Sequence, residues 1–559
     1  MPELQNNAAA EKGRSLVVSS VLVYTLANIL TKVIGVFFKI PMLSLLGNTG
    51  MGYFNTAYQV YVWFYMISTA GLPVAVSTLV AESRARGRFR QVRKIYSIAL
   101  RLFFVIGLAG ALLMFALSGP LADKVIERPA ARFSIIALAP TLFFVCLSSA
   151  FRGYFQGFRY MVPTGISEVI EALGKLLLGI LFAQLAISAG KPIEVVAACA
   201  VLGVTVGVIL GFFYLWLTKL SFSPARYDVE YRAIYGRGVP DCAGTKPIIG
   251  RLLRVAVPIT LSSSAMSLSG MIDTMVLNSG LTRAGFDPDT AFDMYGAYST
   301  EITSLFNLPP VLIYPVAYMI VPLVAECVAR RDRKRMRGIL TSAFKMTAII
   351  ALPCALGMAA IPRYILNTVF DHGDADDLAP LLSIIAVAVF FVGILATTNS
   401  TLQGARKERY PIISMLAGAG VKLVSSWILV GIPAVNIYGA PISTLLCYIT
   451  AASLNLWFVF TKVGYFPSVT RVFLRPFIAA AAAGGSAFAV SRLAEKALFS
   501  AQAVGRGQNL LITLLAVLVA VPVYGIILFK AKGVTEEDLA LLPKSKKIVG
   551  FLKKIRLLG

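Results

Sequence analysis

The sequence is poor in charged residues and in histidine. Asp, Glu, Lys and Arg together make up 14% of the 559 residues, whereas hydrophobic residues make up 57%. So few charges exclude a large soluble domain. His372 is the only histidine, which excludes a histidine-based metal site or catalytic triad. We therefore predict an integral membrane protein that is not an enzyme.

Motifs for nucleotide and metal chemistry are also missing. The chain has no GxxxxGK[ST] phosphate loop and no CxxC pair among its 6 cysteines. We therefore expect no ATPase motor, no metal site and no other cofactor. The Asp-rich stretch 371–377 lacks a suitably spaced glutamate, and we interpret it as a solvated loop. Residues 1–14 are polar and no cleavage pattern follows them, which predicts a retained first helix.

The sequence does contain long apolar runs, and at about 20–23 residues per span they predict about fourteen transmembrane helices. Their positions are near 16–46, 54–80, 95–117, 133–151, 165–187, 193–218, 253–279, 295–325, 339–361, 379–402, 410–431, 437–461, 473–491 and 509–530. Lys and Arg favour one set of alternate loops by roughly four to one, which predicts both termini in the cytoplasm.

The net charge of +25 is explained by this asymmetry and by attraction to anionic lipids of the inner leaflet, rather than by nucleic acid. In residues 546–556, apolar side chains recur at helical spacing between lysines. This pattern predicts an interfacial helix on the inner membrane surface, with a solvated basic tail as the alternative.

The chain repeats itself at an offset of about 245 residues. The segment Pro73 to Glu82 recurs as Pro315 to Glu326, and Gln156-Gly157 recurs as Gln403-Gly404. Because the offset contains six spans, an even number, both copies enter the membrane in the same direction. We predict an all-α fold of two parallel six-helix repeats followed by two further helices.

This prediction divides the chain into six regions. They are a cytoplasmic N-terminal tail (1–14), an N-lobe (15–220), a cytoplasmic linker (221–251), a C-lobe (252–462), helices 13 and 14 (463–530) and a cytoplasmic basic tail (531–559).

Charged residues inside predicted spans are candidate site residues, because each costs about 2.5–3.5 kcal/mol in the bilayer centre. Lys32 and Lys39 are seven residues apart on one face of span 1. We interpret them as a clamp for an anionic substrate. Snorkelling to opposite interfaces, or pairing with span 5, is the alternative.

Span 5 carries Glu168, Glu171 and Lys175, which we also assign to substrate binding. An ion pair between Glu171 and Lys175 is the competing structural interpretation. Lys422 repeats Lys175 in the C-lobe and is a further candidate cation. Asp273, with Asn278 five residues later, is a candidate site for a coupling cation, H⁺ or Na⁺.

Several segments resemble the polysaccharide-export branch of the multidrug/oligosaccharidyl-lipid/polysaccharide (MOP) flippase superfamily, and in particular stage V sporulation protein B and the MurJ-like lipid II flippases. The segments that carry the resemblance are Thr31 to Pro41, Gly50 to Tyr53, Ala70 to Glu82, Arg152 to Glu171 and Leu308 to Glu326. The arginine that MurJ proteins carry on helix 8 has no counterpart here.

The resemblance implies two six-helix lobes arranged as a V, a cationic cavity for a diphosphate-sugar headgroup and a groove on the last two helices for a polyprenyl tail. Lys32 matches the basic residue of the family's first-helix motif. The function that we expect is flipping of a polyprenyl-diphosphate-linked saccharide, such as lipid II or another cell-envelope polysaccharide precursor, with cell-wall synthesis machinery as a further partner.

Three other functions stay open at this point. A multidrug/cation antiporter of the same fold is expected to place acidic or aromatic residues in its cavity, whereas span 1 offers two lysines. A membrane enzyme needs a sizeable outer domain, and no predicted outer loop reaches that size. A non-transporting scaffold in envelope or spore cortex assembly would not need the repeat.

Overall fold

The computed structural model describes residues 2–69, 71–86, 88–222, 244–370, 375–498 and 505–531. These residues are helical or in short connections, and they contain no strand. The predicted linker (mostly 223–243), Asp371 to Asp374 with His372, Cys242 and the basic tail from 532 onward lie outside the described residues.

The chain forms two compact units, 1–279 and 280–559. The described residues of the first unit form six helices and most of a seventh: α1 (Pro2–Thr69), α2 (Leu72–Ala85), α3 (Phe89–Pro120), α4 (Ala131–Gly157), α5 (Val162–Ser188), α6 (Ile193–Ser221) and α7 (Thr245–Arg283). The two units divide near the end of α7, and the predicted lobe boundaries, which place span 7 in the C-lobe, stay a prediction.

α1 is two helices joined at Gly47. The backbone there is non-helical, with φ 63° and ψ −176°, a region that glycine adopts readily because it has no Cβ. In a straight helix Phe38 and Phe54 would be about 24 Å apart, yet their ring centroids are 5.4 Å apart. The chain therefore folds back at Gly47, and α1 contains the first predicted span and the beginning of the second.

The second unit begins with a broken helix. Its first elements are α8 (Pro288–Ala297), a π-helical turn (Tyr298–Ile302), α9 (Thr303–Phe306) and α10 (Pro309–Arg330). The sequence predicted one span at 295–325 and another at 54–80, and neither is continuous. Pro309 and Pro310 start α10, and Pro73 lies in the first turn of α2. Proline ends the preceding helix because it has no N–H to donate and its ring crowds the preceding turn.

Apart from one short helix, the remaining described helices of the second unit agree closely with the predicted spans. They are α11 (Arg333–Ala360), α12 (Pro362–Val369), α13 (Ala375–Gly404), α14 (Arg409–Val430), α15 (Gly439–Val463), α16 (Arg475–Leu498) and α17 (Arg506–Lys530). Short α12 was not predicted, because it is too brief to cross a membrane.

Glycines on α4 explain two of the sequence motifs. A Cβ on Gly153 would lie 2.8 Å from the Pro73 carbonyl oxygen, and one on Gly157 would lie 2.5 Å from Val80 Cγ1. Because the two glycines are four residues apart, they form a groove in which α2 packs closely. The segments Gly71 to Ala75 and Arg152 to Gly157, which carry part of the family resemblance, therefore belong to the two sides of one helix contact.

The second unit contains a matching contact. A Cβ on Gly404 of α13 would lie 2.7 Å from the Val321 carbonyl oxygen and 2.9 Å from Val324 Cβ on α10. Gly404 and Val324 are the residues that the sequence offset pairs with Gly157 and Val80. The relation between the complete repeats stays a prediction.

A polar cluster attaches the last two helices to the rest of the second unit. The Tyr364 hydroxyl on α12 donates to Glu495 Oε2 of α16 at 2.6 Å, and burial together with this carboxylate raises the pKa of Tyr364 to about 12. Arg506 of α17 donates to the Thr368 carbonyl oxygen at 3.2 Å. Arg363 pairs with Asp376 at 2.7 Å, at the start of α13.

Twelve segments of the described chain are long and apolar enough to cross a membrane. One of them, Leu26–Ala85, has 60 residues and as a straight helix would be about 90 Å long, three times the hydrocarbon thickness. It contains the turn at Gly47 and therefore more than one crossing. The chain is a multi-pass membrane protein, and the count of fourteen stays a prediction.

Candidate functional site

Lys175 on α5 points its ammonium group into a set of aromatic rings from α1. Its Nζ atom is 4.6 Å from the ring centroid of Phe38, 5.5 Å from that of Phe54 and 4.4 Å from that of Tyr58. Phe38 precedes the turn at Gly47 and the other two rings follow it. A desolvated cation–π contact stabilises the charge by about 2 kcal/mol. The rings therefore hold a positive charge inside the first unit without a carboxylate.

Glu171 has a different partner from the one that its spacing suggested. The sequence allowed an ion pair with Lys175, but among the described residues Glu171 Oε1 accepts a hydrogen bond from Arg152 Nη2 of α4. The two side chains are only 11% (Arg152) and 18% (Glu171) exposed. Gly211 on α6 leaves room for the carboxylate, since a Cβ there would lie 2.8 Å from Glu171 Oε1. Arginine is favoured for such a buried pair because its guanidinium is planar and weakly hydrated.

Lys32 and Lys39 lie on the part of α1 that precedes the turn. Lys32 is exposed and Lys39 is half-buried. Lys32 is close enough to Glu168 and to Lys175 for the charges to interact, and Lys39 is similarly close to Lys175. The two lysines that the sequence paired on one helix face therefore share a neighbour on α5.

These residues form one group, which we name the first-unit charge cluster: Lys32, Lys39, Arg152, Lys175, Glu168 and Glu171. Glu168 is within electrostatic reach of both Arg152 and Lys32. The cluster has four cations and two carboxylates, so it carries an excess of positive charge within segments that cross the membrane. An anionic ligand group would compensate that excess.

Lys422 belongs to the second unit and is almost fully buried on α14, with 1% of its surface exposed. Lys345 on α11 is also buried, at 7% exposed. Glu301, in the π-helical turn of the broken helix, is 2% exposed. The second unit therefore encloses charges of both signs within its helices.

Neutral side chains continue this polar interior. The Asn455 amide on α15 donates to Asn399 Oδ1 at 2.6 Å and to Thr398 Oγ1 at 3.2 Å. The hydroxyls of Thr347 on α11 and Thr397 on α13 are 2.7 Å apart. By the offset that relates Lys422 to Lys175, Asn399 is the counterpart of Arg152. A neutral amide thus stands in the second unit where the first has a cation.

The candidate coupling-ion residues, Asp273 and Asn278, lie on α7 and are not members of the first-unit charge cluster. Asp273 is half-buried. Asn278 is buried, and its amide nitrogen donates to the carbonyl oxygen of Ile126 at 3.2 Å. That hydrogen bond ties α7 to the connection between α3 and α4 within the first unit.

Two features of the site were missed at the sequence level. Arg152 was not among the candidate residues because it lies just beyond the predicted span 133–151, although it starts the segment Arg152 to Gly157 and precedes Glu171 by nineteen residues. Tyr58, Tyr61 and Tyr65 recur at i, i+3 and i+7, a spacing that places them on one face of α1. Either signal could have been found in the sequence.

Comparison with known proteins gives two family matches. Residues 17–328 match the family described as Polysaccharide biosynthesis protein, which is more than half of the chain. Residues 294–428 match the family described as MatE.

The chain is similar to several bacterial membrane proteins. It is 26% identical to the uncharacterized membrane protein YabM of Bacillus subtilis (strain 168) over 545 residues, which cover 95% of this chain and 96% of YabM. It is 24% identical to the lipid II flippase MurJ of the same organism, covering 79% of this chain and 81% of MurJ. A solved structure of lipid II flippase MurJ in an inward closed conformation has a TM-score of 0.65 at 15% identity, covering 91% of this chain and 99% of that one. The structural likeness establishes the fold.

Proposed function

Because the chain belongs to the polysaccharide biosynthesis protein family and is a transporter of the MOP superfamily, we propose that it moves a polyprenyl-diphosphate-linked saccharide from the inner to the outer leaflet. The observation that carries this proposal is the excess of cations over carboxylates in the first-unit charge cluster. A relative named as a lipid II flippase supports the class of substrate.

The charge of the cluster fits the chemistry of such a headgroup. A diphosphate diester carries two negative charges, and the four cations of the cluster exceed its two carboxylates by the same number. Within a bilayer each uncompensated charge costs about 2.5–3.5 kcal/mol, so a dianion and the cluster stabilise each other. Exposed Lys32 and half-buried Lys39 are the cations that a headgroup contacts in this proposal.

Transport in this proposal proceeds by alternating access, and it needs no nucleotide. An inside-negative potential favours outward movement of anions by about 2.3 kcal/mol per charge per 100 mV, or about 4–5 kcal/mol for two charges. Asp273 is the proposed site for a coupling cation, H⁺ or Na⁺, that returns the empty transporter. Asn278 contributes by holding α7 in place through its bond to Ile126.

The test is reconstitution of the purified protein in liposomes with a fluorescent lipid-linked saccharide, whose arrival in the outer leaflet is followed by a membrane-impermeant quencher. We expect Lys32→Ala/Lys39→Ala to slow flipping at least tenfold, since two charge contacts are lost. The matched control is Lys191→Ala/Lys496→Ala, which removes two exposed lysines outside the cluster and is expected to leave the rate unchanged.

Two outcomes would contradict the proposal in different ways. Unchanged flipping in the Lys32/Lys39 variant would remove the clamp assignment. Absence of flipping of any polyprenyl substrate by the wild-type protein would remove the flippase function itself. Repeating the assay with Asp273→Asn under H⁺ and Na⁺ gradients tests the coupling site, because only a loss of gradient dependence agrees with it.

The match of residues 294–428 to the MatE family favours a second candidate function, export of organic cations. The same liposomes loaded with a fluorescent cationic dye distinguish the two. Dye transport without lipid flipping would support the antiporter, whose cavity would then have to accept a cation beside four cationic side chains.

A further inference from the structure

A stripe of tyrosines runs along the part of α1 that follows the turn at Gly47. The ring centroids of Tyr58 and Tyr61 are 5.9 Å apart, and those of Tyr61 and Tyr65 are also 5.9 Å apart. The stripe begins at the ring that contacts the Lys175 ammonium group. It therefore continues directly from the cationic part of the first-unit charge cluster.

The stripe faces the acidic part of the same cluster. All three tyrosines are within electrostatic reach of Glu171, and Tyr61 and Tyr65 are also within reach of Arg152. Tyr58 and Tyr65 are half-buried, and Tyr61 is 7% exposed. Rings, hydroxyls, carboxylates and a guanidinium are thus collected on one side of α1.

The hydroxyls of Tyr58 and Tyr61 form no hydrogen bond with the part of the chain that the structure describes. A phenol in an interior usually finds a partner, because an unmade hydrogen bond there costs free energy. The two hydroxyls are on neighbouring rings and within electrostatic reach of Glu171, so both are available to bond to a ligand.

The chemistry of the surroundings restricts what that ligand is. At the tyrosines, away from Lys32 and Lys39, a phosphate would be repelled by Glu171, and a quaternary cation would be repelled by Arg152. A neutral ring with several hydroxyls meets neither penalty. Its apolar face fits against an aromatic ring, and its hydroxyls bond to phenols and carboxylates. Tyr58 to Tyr65 extends about 10 Å along the helix, which is longer than one sugar ring.

We propose that Tyr58, Tyr61 and Tyr65 form a saccharide subsite, in which the rings contact a sugar face while the hydroxyls and the carboxylates of Glu168 and Glu171 bond to sugar hydroxyls. This inference rests on the proposed function and deepens it. The cations hold the diphosphate, and the tyrosines recognise the sugar attached to it.

The experiment compares binding of two lipids to the full-length purified protein. The probes are undecaprenyl diphosphate that carries a disaccharide and undecaprenyl diphosphate without sugar. Tyr58→Phe/Tyr61→Phe keeps the rings and removes two hydroxyls. We expect it to raise the Kd of the disaccharide lipid by about tenfold or more, because two hydrogen bonds are lost, and to leave the Kd of the sugar-free lipid unchanged.

The matched control is Tyr314→Phe/Tyr318→Phe, which alters a stacked tyrosine pair of α10 with a centroid distance of 6.0 Å. It is expected to change neither Kd. A further variant, Tyr58→Leu/Tyr61→Leu, removes the rings as well and is expected to abolish the preference for the disaccharide lipid.

Each result separates the inference from the function on which it rests. Equal effects of the Tyr58/Tyr61 variants on both lipids, or a wild-type preference below twofold, overturn the saccharide subsite and leave the flippase proposal standing. If the wild-type protein binds both lipids but flips neither, the flippase proposal is overturned. The ratio of the two Kd values then still tests whether the tyrosines bind the saccharide. Binding of neither lipid overturns both.

Discussion

At the scale of single residues, the first unit solves the problem of a charge in a bilayer in two different ways. Lys175 is enclosed by three aromatic rings, whose nearest centroid is 4.4 Å from its nitrogen. Arg152 is paired with Glu171. The sequence contained all three charges and their spacing, but the choice of partner depends on how α4, α5 and α6 are rotated against each other. Helical periodicity alone does not supply that rotation.

The buried position of the Arg152–Glu171 pair predicts a large effect of breaking it from one side. Glu171→Gln leaves the guanidinium without a counter-ion, and loss of one partner of a buried pair costs about 3–5 kcal/mol. We expect a clear drop in the midpoint of thermal unfolding, followed by tryptophan fluorescence in detergent. The double variant Arg152→Gln/Glu171→Gln is expected to lose less than the sum of the single variants.

Glu326 provides the control for this experiment. It pairs with Arg330 at 3.2 Å and with Arg335 at 3.1 Å, but all three side chains are at least 37% exposed. Glu326→Gln should therefore change stability by no more than about 1 kcal/mol. Equal shifts for Glu171→Gln and Glu326→Gln would show that the Arg152 pair is as solvated as the surface one.

At the scale of helices, apolar runs located most elements within a few residues. The predicted spans 165–187 and 193–218 became Val162–Ser188 and Ile193–Ser221. The interruptions near Gly71 and near Asn307 were not predicted, because a hydropathy window averages over many residues and does not register one glycine or proline. Such breaks follow from backbone chemistry, and Pro73 and the Pro309-Pro310 pair were visible indications of them.

The break at Gly71 is also a point of very close packing. Its N–H donates to Thr260 Oγ1 of α7 at 3.1 Å, and a Cβ would lie 2.1 Å from the carbonyl oxygen of Ala256. Because that neighbour is backbone, Gly71→Ala has to displace α7 from α2. We expect destabilisation of about 1–3 kcal/mol or more, measured as a lower unfolding midpoint.

Gly35→Ala is the matched substitution on α1. Apart from its chain neighbours and its own helix backbone, no atom lies within 4 Å of the Cβ that it would add, and alanine in a helix is favoured over glycine by about 0.5–1 kcal/mol. The two substitutions should therefore shift the midpoint in opposite directions. A Gly71→Ala protein as stable as the wild type would mean that α7 is not held against α2 as described.

At the scale of the whole molecule, composition was sufficient to predict an all-helical membrane protein, and the described chain confirms that class with twelve candidate spans. Charged residues inside the spans pointed to one region, since Lys32, Lys39, Glu168, Glu171 and Lys175 share one unit, and their role in substrate binding stays a prediction. Arg152 was missed because its position near a predicted boundary made it resemble a loop residue. The stripe of Tyr58, Tyr61 and Tyr65 was missed because it lies in a segment so apolar that the single face carrying the tyrosines does not stand out.

The predicted orientation of the molecule can be tested with two exposed lysines. Lys191, between α5 and α6, is predicted outside, and Lys407, between α13 and α14, is predicted inside. In a cysteine-free background, Lys191→Cys should react with an impermeant maleimide in intact cells. Lys407→Cys should react only after permeabilisation. The reverse labelling pattern would invert the orientation and place both termini outside.

The turn at Gly47 has a consequence for how the chain enters the membrane during synthesis. From Ile40 to Ala81 the sequence contains no Asp, Glu, Lys or Arg, and the reversal between the first two crossings is made by one glycine with φ 63°. A nascent helical hairpin of this kind moves no charged loop across the bilayer, so its two helices enter the lipid together. Lys39 and Glu82 are the charged residues at the two ends of this uncharged stretch. They therefore determine the depth of the hairpin in the bilayer.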